Sequence, residues 1–272
     1  MSVVVPAHNE EAVIGDGLRR LLAGTRPGEV EVIVVANACT DRTAEAARAA
    51  GVRVIETEVP GKHHALHLGD AACAVFPRLY LDADVALTGL RALLEAIARP
   101  GVLACAPVPH WDLTGCGPVV RRVHRTHDRL IAPTRVLAGA GAYLLSEEGH
   151  RRVFPLPDGL LADDGWVHAA FTGPERTAVP EAVTVVRQTR TVRAHLRRRA
   201  RVRRGNRQLA ALGRPASARP LGAGDLLGLA RRGGAGPLDV ACYAAVMLLD
   251  KASAHWPGGS GWGADRTSRA AS

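Results

Sequence analysis

The run Arg78-Leu79-Tyr80-Leu81-Asp82-Ala83-Asp84 sets a short apolar strand directly before two carboxylates spaced one residue apart. Upstream, Lys62–Ala74 reads as a helix and Val52–Glu56 as a strand. Thr40 or Asp41 can cap a helix that runs through Ala50 and stops at Gly51. Before it, Val30–Ala36 has the β-branched character of a buried strand. Glu10–Leu22 places Val13, Leu18, Leu21 and Leu22 at helical spacing, and Val3–Pro6 is a first short strand. Downstream, Thr88 is positioned to cap a helix that Pro100-Gly101 ends, and Val102–Ala106 is a further strand. Strands alternating with helices in this way predict an α/β fold with a mainly parallel central sheet and helices on both faces. Ligands in such sheets lie beyond the carboxyl ends of the strands. Those ends are Pro6–Glu10, Ala36–Asp41 and Asp82–Asp84, so three polar clusters converge where a nucleotide would bind.

The second half is less regular. Gly139–Ser146 reads as a strand entering a helix capped by Ser146, followed by the acidic pair Asp163-Asp164 and a strand at Ala178–Arg187. An Arg-rich helix spans Thr191–Leu212, and residues 213–236, rich in Gly, Pro and Arg, read as a linker or mobile loop. Pro237–Ala254 has the pattern of an amphipathic helix, with a Gly/Ser-rich tail over 256–272 expected to fray. The expected units are therefore a domain over 1–212, the linker, and a C-terminal helical extension over 237–272.

The net charge of +9 is local: nine arginines and no carboxylate lie between Arg190 and Arg207. One anion-facing surface fits this better than a nucleic-acid-coating protein, and the three Tyr and three Phe are few for base stacking. Five scattered cysteines without a Cys-x-x-Cys pair argue against structural zinc or a disulfide framework and for a reducing cytoplasm. The start lacks a charged n-region before its apolar run, and Val240–Leu249 is too short to span a bilayer. A cytoplasmic protein is expected, with peripheral membrane contact open.

Two carboxylates at i and i+2 on a strand end can share a divalent cation while leaving positions for diphosphate oxygens. Taken alone, Asp82-Ala83-Asp84 reads more readily as a solvated turn than as a metal site. Lys62 could reach a phosphate or a base. Gly139 and Gly141 either permit close approach to a ligand or serve tight packing. Trp166 reads as a sugar platform or a core residue.

With these segments in order, residues 2 to 210 resemble the family 2 glycosyltransferases of the GT-A fold. Val3-Val4-Val5-Pro6-Ala7-His8-Asn9-Glu10-Glu11 is similar to the family's first-strand motif, whose turn cradles the nucleotide base. Asn37-Ala38-Cys39-Thr40-Asp41-Arg42-Thr43 resembles N-G-S-x-D-x-T, and Gly61-Lys62-His63-His64-Ala65-Leu66-His67-Leu68-Gly69 resembles G-K-x-x-A-L-N-x-G. Asp163-Asp164 looks like the acidic pair that supplies the catalytic base, and Arg198–Gly205 aligns with Q-R-x-R-W-x-x-G.

The resemblance implies a nucleotide-sugar site formed by Pro6, Ala7, His8, Asn9, Glu10, Asn37, Asp41, Lys62, Asp82, Ala83, Asp84, Gly141, Arg198 and Arg201. It implies Mg²⁺ or Mn²⁺ on Asp84, with Asp82 sharing the ion or holding the ribose and His195 as an extra ligand. Asp164 is the candidate general base, with Asp163 next in line; the plainer alternative is a pair of acids complementing a helix dipole. UDP is the expected donor nucleotide. The acceptor is left open between small molecule, glycan, peptide and lipid-linked species.

Departures from the pattern are informative. Ala36 replaces an acid that contacts base or ribose in many relatives, and His67 replaces an Asn. Arg198 and Val202 stand where processive synthases carry Gln and Trp, which favours single-sugar transfer. The rival enzyme class, a nucleotidyltransferase, would need a Gly-rich basic loop after the first strand, where Ala7-His8-Asn9-Glu10 stands. A second rival is RNA or anionic-membrane binding through the arginine cluster.

Overall fold

The computed structural model describes residues 1–216 and 220–253. The first half alternates β1 (Ser2–Ala7), α1 (Ile14–Ala23), β2 (Glu31–Asn37), α2 (Thr43–Ala49), β3 (Arg53–Thr57), α3 (Lys62–Ala71) and β4 (Arg78–Leu81). Then follow β5 (Val85–Thr88), α4 (Leu90–Ile97), β6 (Ala104–Asp112), α5 (Pro118–Ile131), β7 (Ala142–Leu145), α6 (Glu147–Val153) and α7 (Asp163–Ala169). The chain continues through β8 (Arg176–Arg187), α8 (Val192–Ala211), α9 (Ala223–Arg231) and α10 (Pro237–Ser253).

One eight-stranded sheet runs in the order β3-β2-β1-β4-β7-β6-β8-β5. Its first four strands are parallel, whereas β7 runs antiparallel to both β4 and β6, and β5 antiparallel to β8. Alternation along β1 divides the core. Val3 and Val5 pack with Ile14, Leu18 and Leu21 of α1 and Leu93 of α4. Val4 faces the other way, onto Ala65 and Leu66 of α3, Val167 of α7 and Leu209 of α8. Helices thus cover both faces, and the continuous apolar character of β1 and β2 follows from burial on both sides.

Three local expectations change. Thr88 ends β5 and donates its hydroxyl to the Val183 carbonyl, so Gly89, with φ of 77°, leads into α4 in its place. Polar spacing around Asp84 masked β5, whose backbone partners lie on β8 about a hundred residues away. The segment over 213–236 contains α9, because Leu226 and Leu229 find a buried seat. α5, unmarked in the sequence reading, packs with α9 and α10 around Val123, Leu226, Tyr243 and Val246. Ser146 caps α6 as expected, accepting the Gly149 N–H at 3.1 Å. Ala254 and the tail over 256–272 lie outside the described residues. Among the described residues, no helix is long and apolar enough to cross a membrane.

Candidate active site

The Asp82-Ala83-Asp84 turn joins β4 to β5 at the carboxyl end of the parallel strands. Its position is set by β7: the Asp82 N–H donates to the Gly141 carbonyl at 2.8 Å. Gly141 has φ of 70°, and a Cβ there would meet Val85 Cγ2 at 2.7 Å. The requirement for glycine at 141 is thus close packing beneath the acidic turn.

Asp163 and Asp164 start α7, which is held against α8 by small residues; a Cβ on Gly205 would touch the Ala162 Cβ at 3.0 Å. Gln208 of α8 also accepts the Leu161 N–H at 2.9 Å and donates to the Gly159 carbonyl at 2.9 Å. Packing of α8 on the preceding loop therefore fixes where the acidic pair enters the site.

Lys62 lies between the two acidic segments. Its Nζ is 2.7 Å from Asp82 Oδ1 and 2.9 Å from Asp163 Oδ1. Burial opposes the lysine's charge, but Asp163 and Asp82 outweigh it and hold the ammonium well above its ordinary value. The second Asp163 oxygen accepts from the Tyr143 hydroxyl at 3.3 Å. Tyr143 stacks on Tyr80 with ring centroids 5.0 Å apart, and Tyr80 donates to Asp70 at 2.5 Å. Asp163 is 5% exposed and has both oxygens engaged.

Asp164 differs from its neighbour. Its Oδ2 accepts the Gly139 N–H at 2.8 Å and its Oδ1 accepts its neighbour Gly165's N–H at 2.7 Å, leaving lone pairs toward the cleft. Burial and the Asp163 charge raise its pKa, against the opposing pull of Lys62 and the two N–H groups. Asp82 is likewise pushed up to about 6, by burial first and then by Asp163 and Asp84, with Lys62 opposing. Asp84 is exposed, and its carboxylate has no hydrogen-bond or ion-pair partner among the described residues.

These groups line one cleft of about 1020 Å³. Of the residues expected at the site, Pro6, His8, Glu10, Lys62, Asp82, Ala83, Asp84, Gly141, Asp163, Asp164, Arg198 and Arg201 line it. Ala7, Asn9, Asn37, Asp41 and His195 are not among its lining residues. Asn37 is buried and holds the loop before α3, accepting from Gly61 N–H at 2.9 Å and donating to the Val59 carbonyl at 2.6 Å. Asp41 accepts the Thr43 N–H at 3.0 Å and the Glu11 N–H at 3.2 Å, and Asn9 accepts the Thr40 N–H at 2.8 Å. These three side chains brace the β1 and β2 turns from behind, so their work is to shape the loops that a ligand would meet.

His195 is a correction to the expected ligand set. It is buried in a T-shaped contact with His124, centroids 5.0 Å apart, and burial pushes its pKa down to about 3. The helix turn that carries it points it into the α5–α8 contact. Trp166 donates its indole N–H to the Val153 carbonyl at 3.2 Å, beneath Arg214, which gives it a packing role. Arg199 and Arg203 pair with Asp250 of α10, and Arg198 donates to Gln188 at 2.6 Å, so part of the arginine cluster serves internal contacts. Sequence reasoning did not find Tyr143, His127 or the α9 and α10 residues on the cleft wall. Tyr143 reads simply as a strand residue, and its contact to Asp163 spans 20 positions.

A divalent cation fits this arrangement. Four carboxylates (Asp82, Asp84, Asp163, Asp164) crowd the cleft around one lysine, and one of the four is free. No group of three or more His, Cys, Asp or Glu among the described residues could hold a metal by itself. An ion at Asp84 would therefore need ligand phosphates to complete its coordination, the usual manner for Mg²⁺.

The sheet and its covering helices have the GT-A fold. Residues 2–131, just under half of the chain, match the model of Glycosyl transferase family 2. The 4,4'-diaponeurosporenoate glycosyltransferase of Staphylococcus haemolyticus is 33% identical over 109 residues; the match covers 36% of this chain and only 28% of that relative. Mannosyltransferase PcManGT from Pyrobaculum calidifontis, solved with GDP-Man and Mn²⁺, superimposes with a TM-score of 0.62 at 18% identity, covering 93% of this chain and 75% of that one. Glucosyl-3-phosphoglycerate synthase from Mycobacterium tuberculosis, solved with Mn²⁺, UDP and phosphoglyceric acid, gives 0.56 at 24% identity, covering 81% of each chain. At these identities the structural likeness speaks for the fold.

Proposed function

We propose that this chain transfers a single sugar from a nucleoside-diphosphate sugar, with UDP the first candidate, to a hydroxyl acceptor with inversion. The observation that carries the reading is the division of labour among the cleft's carboxylates. Asp82 and Asp163 are tied to Lys62, Asp84 is free for a cation, and Asp164 keeps lone pairs toward the cleft with a raised pKa. Mg²⁺ or Mn²⁺ bound at Asp84, with Asp82 as neighbour, would neutralise the diphosphate, the main electrostatic demand of the reaction. Pro6 and His8 stand at the β1 strand end, where the nucleotide would lie. Arg198 and Arg201 supply positive charge on the α8 side.

In the transfer, the acceptor oxygen attacks the anomeric carbon from the face opposite the diphosphate. The anomeric C–O bond breaks, the nucleoside diphosphate leaves with the electron pair, and the acceptor's proton passes to Asp164. A base raised toward neutrality retains more driving force for that proton transfer. Asp163, buried with both oxygens engaged, suits the role of holding Lys62 and raising its neighbour.

Donor binding is the direct test. UDP should raise the melting temperature in the presence of MnCl₂ and lose most of that effect in EDTA. Equal stabilisation in EDTA would remove the cation from the reading.

A further inference from the structure

The cleft has two unlike ends. The strand-end side carries Lys62, Asp82, Asp84, Asp163 and Asp164, whereas the wall built by α5, α8, α9 and α10 sets a group of apolar side chains beside Arg201, Asn206 and Lys251. Ile131 of α5, Val202 of α8, Leu226 of α9, and Tyr243, Met247 and Leu248 of α10 all line it. Val202 is 45% exposed and Leu248 66%, so among the described residues these large aliphatic side chains are left uncovered at the cleft. The volume of about 1020 Å³ is at the upper limit of what one drug-sized ligand fills, so it leaves room for a second molecule beside a donor.

Several polar groups on this wall are engaged within the protein, whereas Arg201 and Lys251 remain as charged lining residues. Asp250 is held by Arg199 and Arg203. His127 shares a hydrogen bond of 3.0 Å with the Tyr243 hydroxyl, and burial pushes its pKa down to about 4, so it is neutral near pH 7. A sugar or peptide acceptor needs several unspent donors and acceptors along its length. This wall offers mostly apolar contact area, and its one buried carboxylate, Asp250, is compensated from within.

We infer that the acceptor is an amphiphilic small molecule, with a hydroxyl presented to Asp164 and an extended hydrocarbon body lying on the wall formed by α5, α8, α9 and α10. The inference rests on the transfer reading for the role of Asp164, but the apolar wall can be tested without turnover. Burial of hydrocarbon gives affinity in proportion to area, and each fully buried methylene strengthens binding about fourfold. The wall thus selects on chain length, while Asp164 requires only one reactive oxygen.

The experiment titrates the full chain with ω-dansylamino alcohols of six, eight, ten and twelve carbons, each below its critical micelle concentration, reading dansyl emission. Affinity should rise steeply with length. The double variant Val202→Glu/Leu248→Glu should bind the twelve-carbon probe at least about tenfold more weakly. Both positions are exposed, so folding tolerates the change, and unaltered stabilisation by UDP with MnCl₂ verifies an intact donor site. Length-independent binding, or a double variant that binds as well as the parent, overturns the inference. Binding only when the probe is carried in phosphatidylcholine/phosphatidylglycerol vesicles would make the wall a membrane contact and also overturn it. If UDP fails to bind but chain-length dependence persists, the transfer reading fails and the apolar site stands.

Discussion

The two ends of the cleft are built by different means. The acidic end is assembled from strand-end turns and a helix start, and it holds four carboxylates around Lys62. The opposite wall is assembled from helices far apart in the chain, joined by a small core of Val123, Leu226, Tyr243 and Val246. The acidic end concentrates carboxylate charge that Lys62 offsets only in part. The helical wall buries His124, His127 and His195 in neutral form and pairs its buried Asp250 with Arg199 and Arg203. One end is prepared for electrostatics and the other for apolar surface, and the contrast can be broken at named residues.

The largest effect is expected at Asp164. Asp164→Asn should lower kcat by about 10³-fold while UDP affinity changes little, because a general base acts in the transition state. Asp163→Asn should instead act through Lys62 and alter both parameters. Full turnover in Asp164→Asn, measured by released nucleoside diphosphate, would move the base elsewhere. In the parent, the acid limb of kcat/KM should lie above the ordinary carboxylate range, since burial and Asp163 raise the Asp164 pKa and the ionised form is the active one.

Lys62→Met comes next. It leaves Asp82 and Asp163 without their shared partner, at a cost on the order of 2 kcal/mol, scaled down from a fully buried pair because Lys62 is 25% and Asp82 38% exposed. The deficit, read by urea denaturation, should shrink as pH falls and the carboxylates take up protons. A pH-independent deficit would mean that lost packing, not charge, is responsible.

The helical wall has the opposite response to acid. Burial pushes the pKa of His124 and His127 down to about 4 and that of His195 to about 3. Because the folded values lie below the unfolded value of about 6.5, the unfolded chain binds protons first, and stability falls as pH drops from about 6.5 toward 4. Each group can contribute up to ~2 kcal/mol of that loss at pH 5. His195, whose ring nitrogens have no hydrogen-bond partner among the described residues, is the cleanest probe. His195→Leu should flatten the decline and leave stability at pH 8 within about 1 kcal/mol of the parent. An unchanged slope would place the acid sensitivity elsewhere.

The smallest effect tests the join between β7 and the acidic turn. Gly141→Ala should destabilise by about 1–2 kcal/mol, through its left-handed backbone and contact with Val85, and weaken donor binding modestly. A stability loss with unchanged donor affinity would show that the Asp82 turn keeps its place without this glycine.

Much of the first half was legible because its signals are local. β1, β2 and β4 are apolar on both faces, their turns carry polar clusters, and α8 was expected from Thr191, whose hydroxyl proves to cap it by accepting the Ala194 N–H at 3.2 Å. Motif order also located Lys62, Asp82, Asp84, Asp163 and Asp164 on one cleft. The motif could not separate residues that face the cleft from residues that brace it. Asn9, Asn37 and Asp41 belong to the second kind, since their partners were hidden in folded turns. β5 and α9 escaped because their stabilising contacts, with β8 and α5, come from distant segments.

The amino-acid sequence by itself determined the alternation of elements, the apolar strands and the carboxylates at strand ends, because side-chain period and turn chemistry act over a few residues. Only the tertiary structure decided which acid is free and which is held. Lys62 chooses Asp82 and Asp163 across 20 and 101 positions, and Gly139 chooses Asp164 across 25. Those choices depend on charge and burial in three dimensions, where nanometre-scale geometry outweighs neighbourhood in the chain.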